Sequence, residues 1–145
     1  MTGANGSLMT VGELARRTGL TIKAIRRYEA AGLIYSAGRS ESNYRLFDES
    51  ALWCAHVIVT LRSLGLTVKE IEALVGIYLG RPEAPIGSHL APLLDRAEDR
   101  IDTRIAELQA ARRRIAKYRA EHAEALSGRP GAELMPPDPR RPRAA

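Results

Sequence analysis

Apolar residues recur at helical spacing in five stretches of this chain, and the first four stretches each open on a residue able to cap a helix. Thr10 is followed three positions on by Glu13, the S/T-x-x-E pattern of a reciprocal cap, and Val11, Leu14 and Ala15 form an apolar stripe behind it. That helix is predicted to end near Thr18-Gly19. Thr21 caps a second, in which Ile22, Ile25 and Glu29 fall at i, i+3 and i+7 and leave Lys23, Arg26 and Arg27 on or beside the outer face. Ile22, Ile25 and Leu33 are expected to hold this helix to its domain. Two short helices joined by a tight glycine-containing turn make a helix-turn-helix, and the second is the one shaped to enter a groove.

The pattern then changes period. Gly38, Ser40, Ser42 and Asn43 are turn formers, and the alternation in "NYRLF" predicts a short strand that pairs back on Leu33-Ile34-Tyr35. A hairpin carrying Arg39 and Arg45 after a helix-turn-helix reads as a wing. Asp48 opens the next helix, through Leu52, Trp53, Val57, Ile58 and Leu61 to a stop at Leu64-Gly65-Leu66. Thr67, with Glu70 as a capping box, opens another through Ile71, Leu74, Val75 and Tyr78. Leu46, Phe47 and Trp53 read as core of this unit. "GRPEAPIG" breaks the chain.

From Ser88 to about Leu126 the reading is one uninterrupted helix of roughly 39 residues, about 58 Å at the usual rise. Leu94, Ile101, Leu108 and Ile115 recur every seventh position, and Leu90, Ala97, Ala111, Tyr118 and Ala125 mark a complementary line broken only at Arg104. A single helix cannot hide such a seam, so a second copy is expected to cover it; the alternative is a helix folded back on its own N-terminal domain. Arg112, Arg113 and Arg114 read as a solvated face. The predicted organisation is mainly α: a disordered arm at 1–9, a winged helix-turn-helix domain at 10–80, a dimerisation helix at 88–126, and a disordered Pro/Arg-rich tail at 127–145.

Composition narrows the function classes. The net charge of +5 favours an anionic partner such as nucleic acid. A single cysteine, Cys54, excludes an intrachain disulfide, a Cys-only metal site within one chain and an iron–sulfur cluster. Its place beside Trp53 suits a small packed hydrophobe rather than a thiol sensor. No apolar run reaches membrane-spanning length, and "MTGANGSLMT" lacks the blocks of a signal peptide, so a cytoplasmic location is expected. Three scattered histidines and one cysteine offer no nucleophile with a base, so an enzyme is not expected, nor is any cofactor.

"TVGELARRTGLTIKAIRRYEAAGLI", "RSESNYRLFDESAL", "LRSLGLTVKEIEALV" and the helix containing "RIAELQAARRRI" occur in one order, and together they resemble the MerR family of bacterial transcription regulators over residues 10 to about 122. The resemblance implies a homodimer with winged domains at opposite ends of an antiparallel coiled coil. It implies promoter DNA bent and undertwisted between two half-sites, with RNA polymerase responding to the change. Carried over by position, the DNA-binding residues are Thr10, Arg16, Thr21, Lys23, Arg26, Arg27, Tyr28, Arg39, Tyr44, Arg45 and Arg62, with Lys23 and Arg26 placed for base edges or nearby phosphates and Tyr28 for a phosphate. The dimerisation residues are Leu90, Leu94, Ala97, Ile101, Leu108, Ala111, Ile115 and Tyr118. Arg27 stands where relatives usually carry an aromatic, and Asn43 where Gly is common. Arg26 has a plainer alternative, a surface pair with Glu29 or Glu49. The family's cysteine metal ligands are absent; His89 and His122, one from each protomer, make a poor site without a third ligand, so no metal is expected. Three alternatives stay open for the inducer: a small ligand in the dimer cleft near residues 76–93, an unrecognised stimulus, or none at all, with 76–93 the first place to look. The competing readings are an effector-independent architectural DNA-binding protein and a structural coiled-coil adaptor.

Overall fold

Side-chain caps set where the N-terminal helices begin. The computed structural model describes residues 7–142. Positions 1–6 of the expected arm and 143–145 of the expected tail lie outside the described residues. Helix α1, Val11–Thr18, starts where Thr10 Oγ1 accepts the Glu13 N–H at 3.3 Å, and ends at Gly19 with φ 77°. Helix α2, Ile22–Ala30, starts where Thr21 Oγ1 accepts the Ala24 N–H at 3.0 Å. It closes with Leu33 N–H on Tyr28 O at 2.9 Å and Gly32 N–H on Glu29 O at 3.0 Å, which requires the left-handed turn that Gly32 supplies at φ 75°. Helix α3, Glu49–Ser63, is capped by Asp48 and ends the same way, with Leu66 bonded to Leu61 across Gly65. Helix α4, Val68–Gly80, opens on the full reciprocal box, Thr67 N–H to Glu70 Oε1 at 2.9 Å and Glu70 N–H to Thr67 Oγ1 at 3.1 Å.

Three short strands make one antiparallel sheet in the order β1-β3-β2: β1 Met9–Thr10, β2 Gly38–Arg39 and β3 Arg45–Phe47. The expected pairing of β3 with Leu33-Ile34-Tyr35 is corrected. β3 pairs with Gly38–Arg39, Arg39 opposite Arg45, and with Met9–Thr10, Met9 opposite Phe47. Leu33 and Ile34 are buried immediately after the Gly32 turn, so the chain reaches the sheet only beyond them. Met9 is therefore a buried strand residue rather than part of a disordered arm.

The predicted single helix over 88–126 is two. Helix α5 runs Gly87–Glu121, and a short α6, Ala123–Leu126, follows a break at His122 with φ −121° and ψ 25°. Pro92, which the uninterrupted reading passed over, lies inside α5; lacking an N–H, it leaves a gap in the early helix ladder. Residues 127–142 form turns and irregular chain, with Tyr118 Oη donating to Leu134 O at 3.4 Å.

The chain divides into two compact units, Met1–Asp99 and Arg100–Ala145. In the first, Met9, Leu14, Ile25, Ile34, Phe47, Leu66 and Ile71 are the fully buried centre. Ile86, Leu90 and Leu93 pack against it and Ala97 is buried within it, so Leu90 and Ala97, assigned to the seam from the sequence, are taken up by the unit's own core. This is the fold-back alternative realised for the first turns of α5. Two core assignments are also corrected. Trp53 is 60% exposed, on the outer face of α3, and Ile22 is exposed at the start of α2, where the apolar face of so short a helix is served by Ile25 and Tyr28.

Candidate nucleic-acid interface

α2 and the wing enclose a groove of about 440 Å³. Ile25 and Phe47, both buried, form its floor; Arg26 and Glu29 come from α2, Arg39, Asn43, Tyr44 and Arg45 from the wing, and Thr10 and Val11 from the start of α1. The wing tip is held by its own polar groups. Asn43 N–H donates to Ser40 O at 2.8 Å, Tyr44 N–H to Ser40 Oγ at 3.1 Å, and Arg39 Nη1 to Asn43 O at 3.1 Å. Asn43 sits at φ 65°, a conformation Asn tolerates, so the hairpin closes without the usual glycine. Tyr44 is thereby left exposed beside Arg45.

Thus Thr10, Arg26, Arg39, Tyr44 and Arg45 meet in one groove. Arg16, Thr21, Lys23 and Arg27 are exposed but do not line it. Neither acid named as an alternative partner holds Arg26: Glu29 pairs with Arg45, and Glu49 with Arg17 at 3.8 Å. Arg62 donates from Nη1 to Leu66 O at 2.8 Å, bracing the turn after α3 while its guanidinium fork keeps further donors. Tyr28 is 7% exposed, packs in the core where it supports α2 from beneath, and does not line the groove.

Sequence reasoning took Glu29 as an inner-face helix position and as a possible surface partner of Arg26, and missed it as a member of this groove paired with Arg45. Its side chain is 14% exposed; one carboxylate oxygen meets Arg45 Nη1, and Oε2 is buried without a hydrogen-bond partner. An acid at an inner position of an amphipathic helix was the available signal, because a buried carboxylate calls for a cation from a neighbouring element.

Outside the groove, a hollow of about 390 Å³ lies against α4, lined by Ala73, Gly76, Ile77, Gly80, Arg81 and His89, all but Ala73 within residues 76–93. Cys54 is half-buried, and its thiol is pushed above the ordinary range by burial first and by the charge of Asp48 second, which favours the unreactive protonated form. His122 stacks on Tyr118 with centroids 4.1 Å apart, and its Nδ1 lies 2.9 Å from Tyr118 O. Among the described residues no three His, Cys, Asp or Glu side chains converge as a metal site, and no helix is long and apolar enough to cross a membrane.

In the second unit, Ile101, Leu108 and Ile115 of the predicted seam lie exposed along α5, with Tyr118 beyond them and Ala111 half-buried. Ile105, which the heptad reading missed because Arg104 occupies the adjacent seam position, is exposed with them. Arg104 turns aside to pair with Glu107 at 3.3 Å.

Residues 9–76 match the profile of the MerR HTH family regulatory proteins, and residues 55–118 match the profile described as MerR, DNA binding. An uncharacterised HTH-type transcriptional regulator of Pseudomonas aeruginosa, PA4778, is 40% identical over 76 residues, 52% of this chain and 58% of its own length. The HTH-type transcriptional regulator HmrR of Sinorhizobium medicae is 31% identical over 127 residues, covering 88% of this chain and 84% of HmrR. The chain belongs to the MerR family. Among solved structures, that of the transcription regulator PbrR691 from Ralstonia metallidurans CH34 in complex with lead(II) superposes with a TM-score of 0.62 at 32% identity, over 77% of this chain and 86% of PbrR691. This MerR-family chain is a DNA-binding transcription regulator with a winged helix-turn-helix fold.

Proposed function

We propose that this MerR-family regulator acts in the cytoplasm as a homodimer on promoter DNA, with α2 of each protomer in a major groove and each wing on the adjacent backbone. The single observation that carries this reading is the convergence of Arg26 from α2 with Arg39, Tyr44 and Arg45 from the wing around one open groove. A guanidinium suits both guanine edges and phosphates, so one groove serves base reading and backbone grip together. Arg26, which neither Glu29 nor Glu49 holds, is the residue assigned to base edges; Arg39, Tyr44 and Arg45 are assigned to phosphates, with Lys23, Arg16 and Arg27 adding to the positive surface. The exposed line Ile101, Ile105, Leu108 and Ile115 supports pairing with a second copy through antiparallel helices. Two half-sites held by one rigid dimer allow the intervening duplex to be bent, and RNA polymerase then reads the altered promoter.

The test is a fluorescence-anisotropy titration on promoter DNA over a range of salt. Affinity is expected to fall steeply, with a slope of about −0.9 per phosphate neutralised in log–log form. Absence of binding in the micromolar range at low salt would favour the coiled-coil adaptor. Equal affinity for promoter and random DNA would favour an architectural protein.

A further inference from the structure

Among the described residues, Glu29 is the only acid lining a groove that also holds Arg26, Arg39 and Arg45. An acid facing incoming phosphates opposes DNA binding on charge alone, and its buried, unpartnered Oε2 offers the fold nothing that an apolar side chain would not. Its geometry gives it another role. Glu29 belongs to the last turn of α2, Arg45 to β3, and their ion pair is a side-chain tie between the reading helix and the wing.

We propose that Glu29 is the positioning residue of this interface: it does not touch DNA, but fixes the Arg45 guanidinium so that its remaining donors face the phosphate. The proposal rests on the reading of Arg45 as a phosphate contact. Arg45 is half exposed while Glu29 is nearly covered, so the pair has a fixed end and a free end. An unheld arginine between two like charges would swing away from them into solvent and would have to be reordered on each binding event. Held by Glu29, it meets the phosphate already oriented, and the wing keeps its angle to Arg26 and Lys23. Because Oε2 is buried, Glu29 has no route to a base edge without disruption of the groove.

The test is a double-mutant cycle of the full chain on operator DNA, using Glu29→Gln, Arg45→Ala and the double variant, with a thermal melt of each. Glu29→Gln is expected to weaken operator binding about tenfold although it removes a negative charge, with an unchanged melting temperature. Arg45→Ala should weaken binding and reduce the salt slope by about 0.9. In the Arg45→Ala background, Glu29→Gln should cause no further loss. Glu29→Asp keeps the charge but shortens the reach, and should lose nearly as much as Gln. Tighter binding on Glu29→Gln in both backgrounds would overturn the proposal, as would an equal loss in both, or parent-like binding by Glu29→Asp. Should Arg45→Ala alone leave affinity and salt slope unchanged, the phosphate reading of Arg45 falls first and the proposal with it.

Discussion

In the unit Met1–Asp99, Leu14, Ile25, Ile34, Leu66 and Ile71 have no exposed surface, whereas in Arg100–Ala145 the apolar residues Ile101, Ile105, Leu108 and Ile115 each leave close to half of theirs open. The first unit satisfies itself. Its first four helices have side-chain caps, two glycine turns tie off α2 and α3, and the sheet edge is used to hold a wing. The second unit carries an amphipathic line that no element among its described residues covers. Stability of the winged unit should therefore respond to mutation as a property of one chain, and the exposed line of α5 should respond through association.

The largest effects separate these two behaviours. Phe47→Ala removes a buried ring that is both sheet core and groove floor, and should destabilise the winged unit by about 3–5 kcal/mol in chemical denaturation. Leu108→Asp, at an exposed position, should leave the unfolding of the winged unit in place. It should raise the dimer dissociation constant at least about a hundredfold by sedimentation, because a carboxylate in a paired apolar seam is left unsolvated. A Leu108→Asp protein that stays dimeric would mean that the line is not the seam, and the contrast between the units would lose its basis.

Much of this contrast is legible in the sequence, because caps and heptads are local patterns. Thr67 and Glu70 mark a helix start from four residues of chain, and the structure closes both of their hydrogen bonds. The wing's position is legible for the same reason, but its pairing is not. Whether Leu33-Ile34 or Gly38–Arg39 faces β3 depends on where the core claims apolar residues, a long-range matter that alternation cannot decide. The fate of Leu90 and Ala97 fails similarly: heptad spacing assigns them to a seam, yet α5 begins within the first unit and packs them there. In the groove, the sequence offered Glu29 a partner in Arg26 and not in Arg45, since Arg45 lies on a different element, sixteen residues on.

A smaller change probes the groove itself. Arg26→Ala should cost about 1–3 kcal/mol of discrimination between operator and random DNA, read by competition titration, while leaving the melting temperature unchanged. An equal loss on both DNAs would reassign Arg26 to phosphate, and reading would pass to Lys23. Gly32→Ala tests the turn that delivers Leu33 and Ile34 to the core. A Cβ there meets only Tyr35 Oη at 3.8 Å, so space is adequate and the cost is the left-handed backbone alone, about 1 kcal/mol of stability.

The smallest effect falls on the residue that composition made most conspicuous. Trp53 is the chain's one tryptophan, yet its ring stands on the open face of α3, where it contributes little burial to lose. Trp53→Ser should shift the unfolding free energy by no more than about 0.5 kcal/mol, and the parent's fluorescence should already show a solvated indole before denaturant is added. Beside it, Cys54 is half-buried, so iodoacetamide should modify it more slowly than a free small thiol at the same pH. A loss above about 2 kcal/mol for Trp53→Ser, a size that requires a buried contact, would show that α3 belongs with α5 among the surfaces completed only by association.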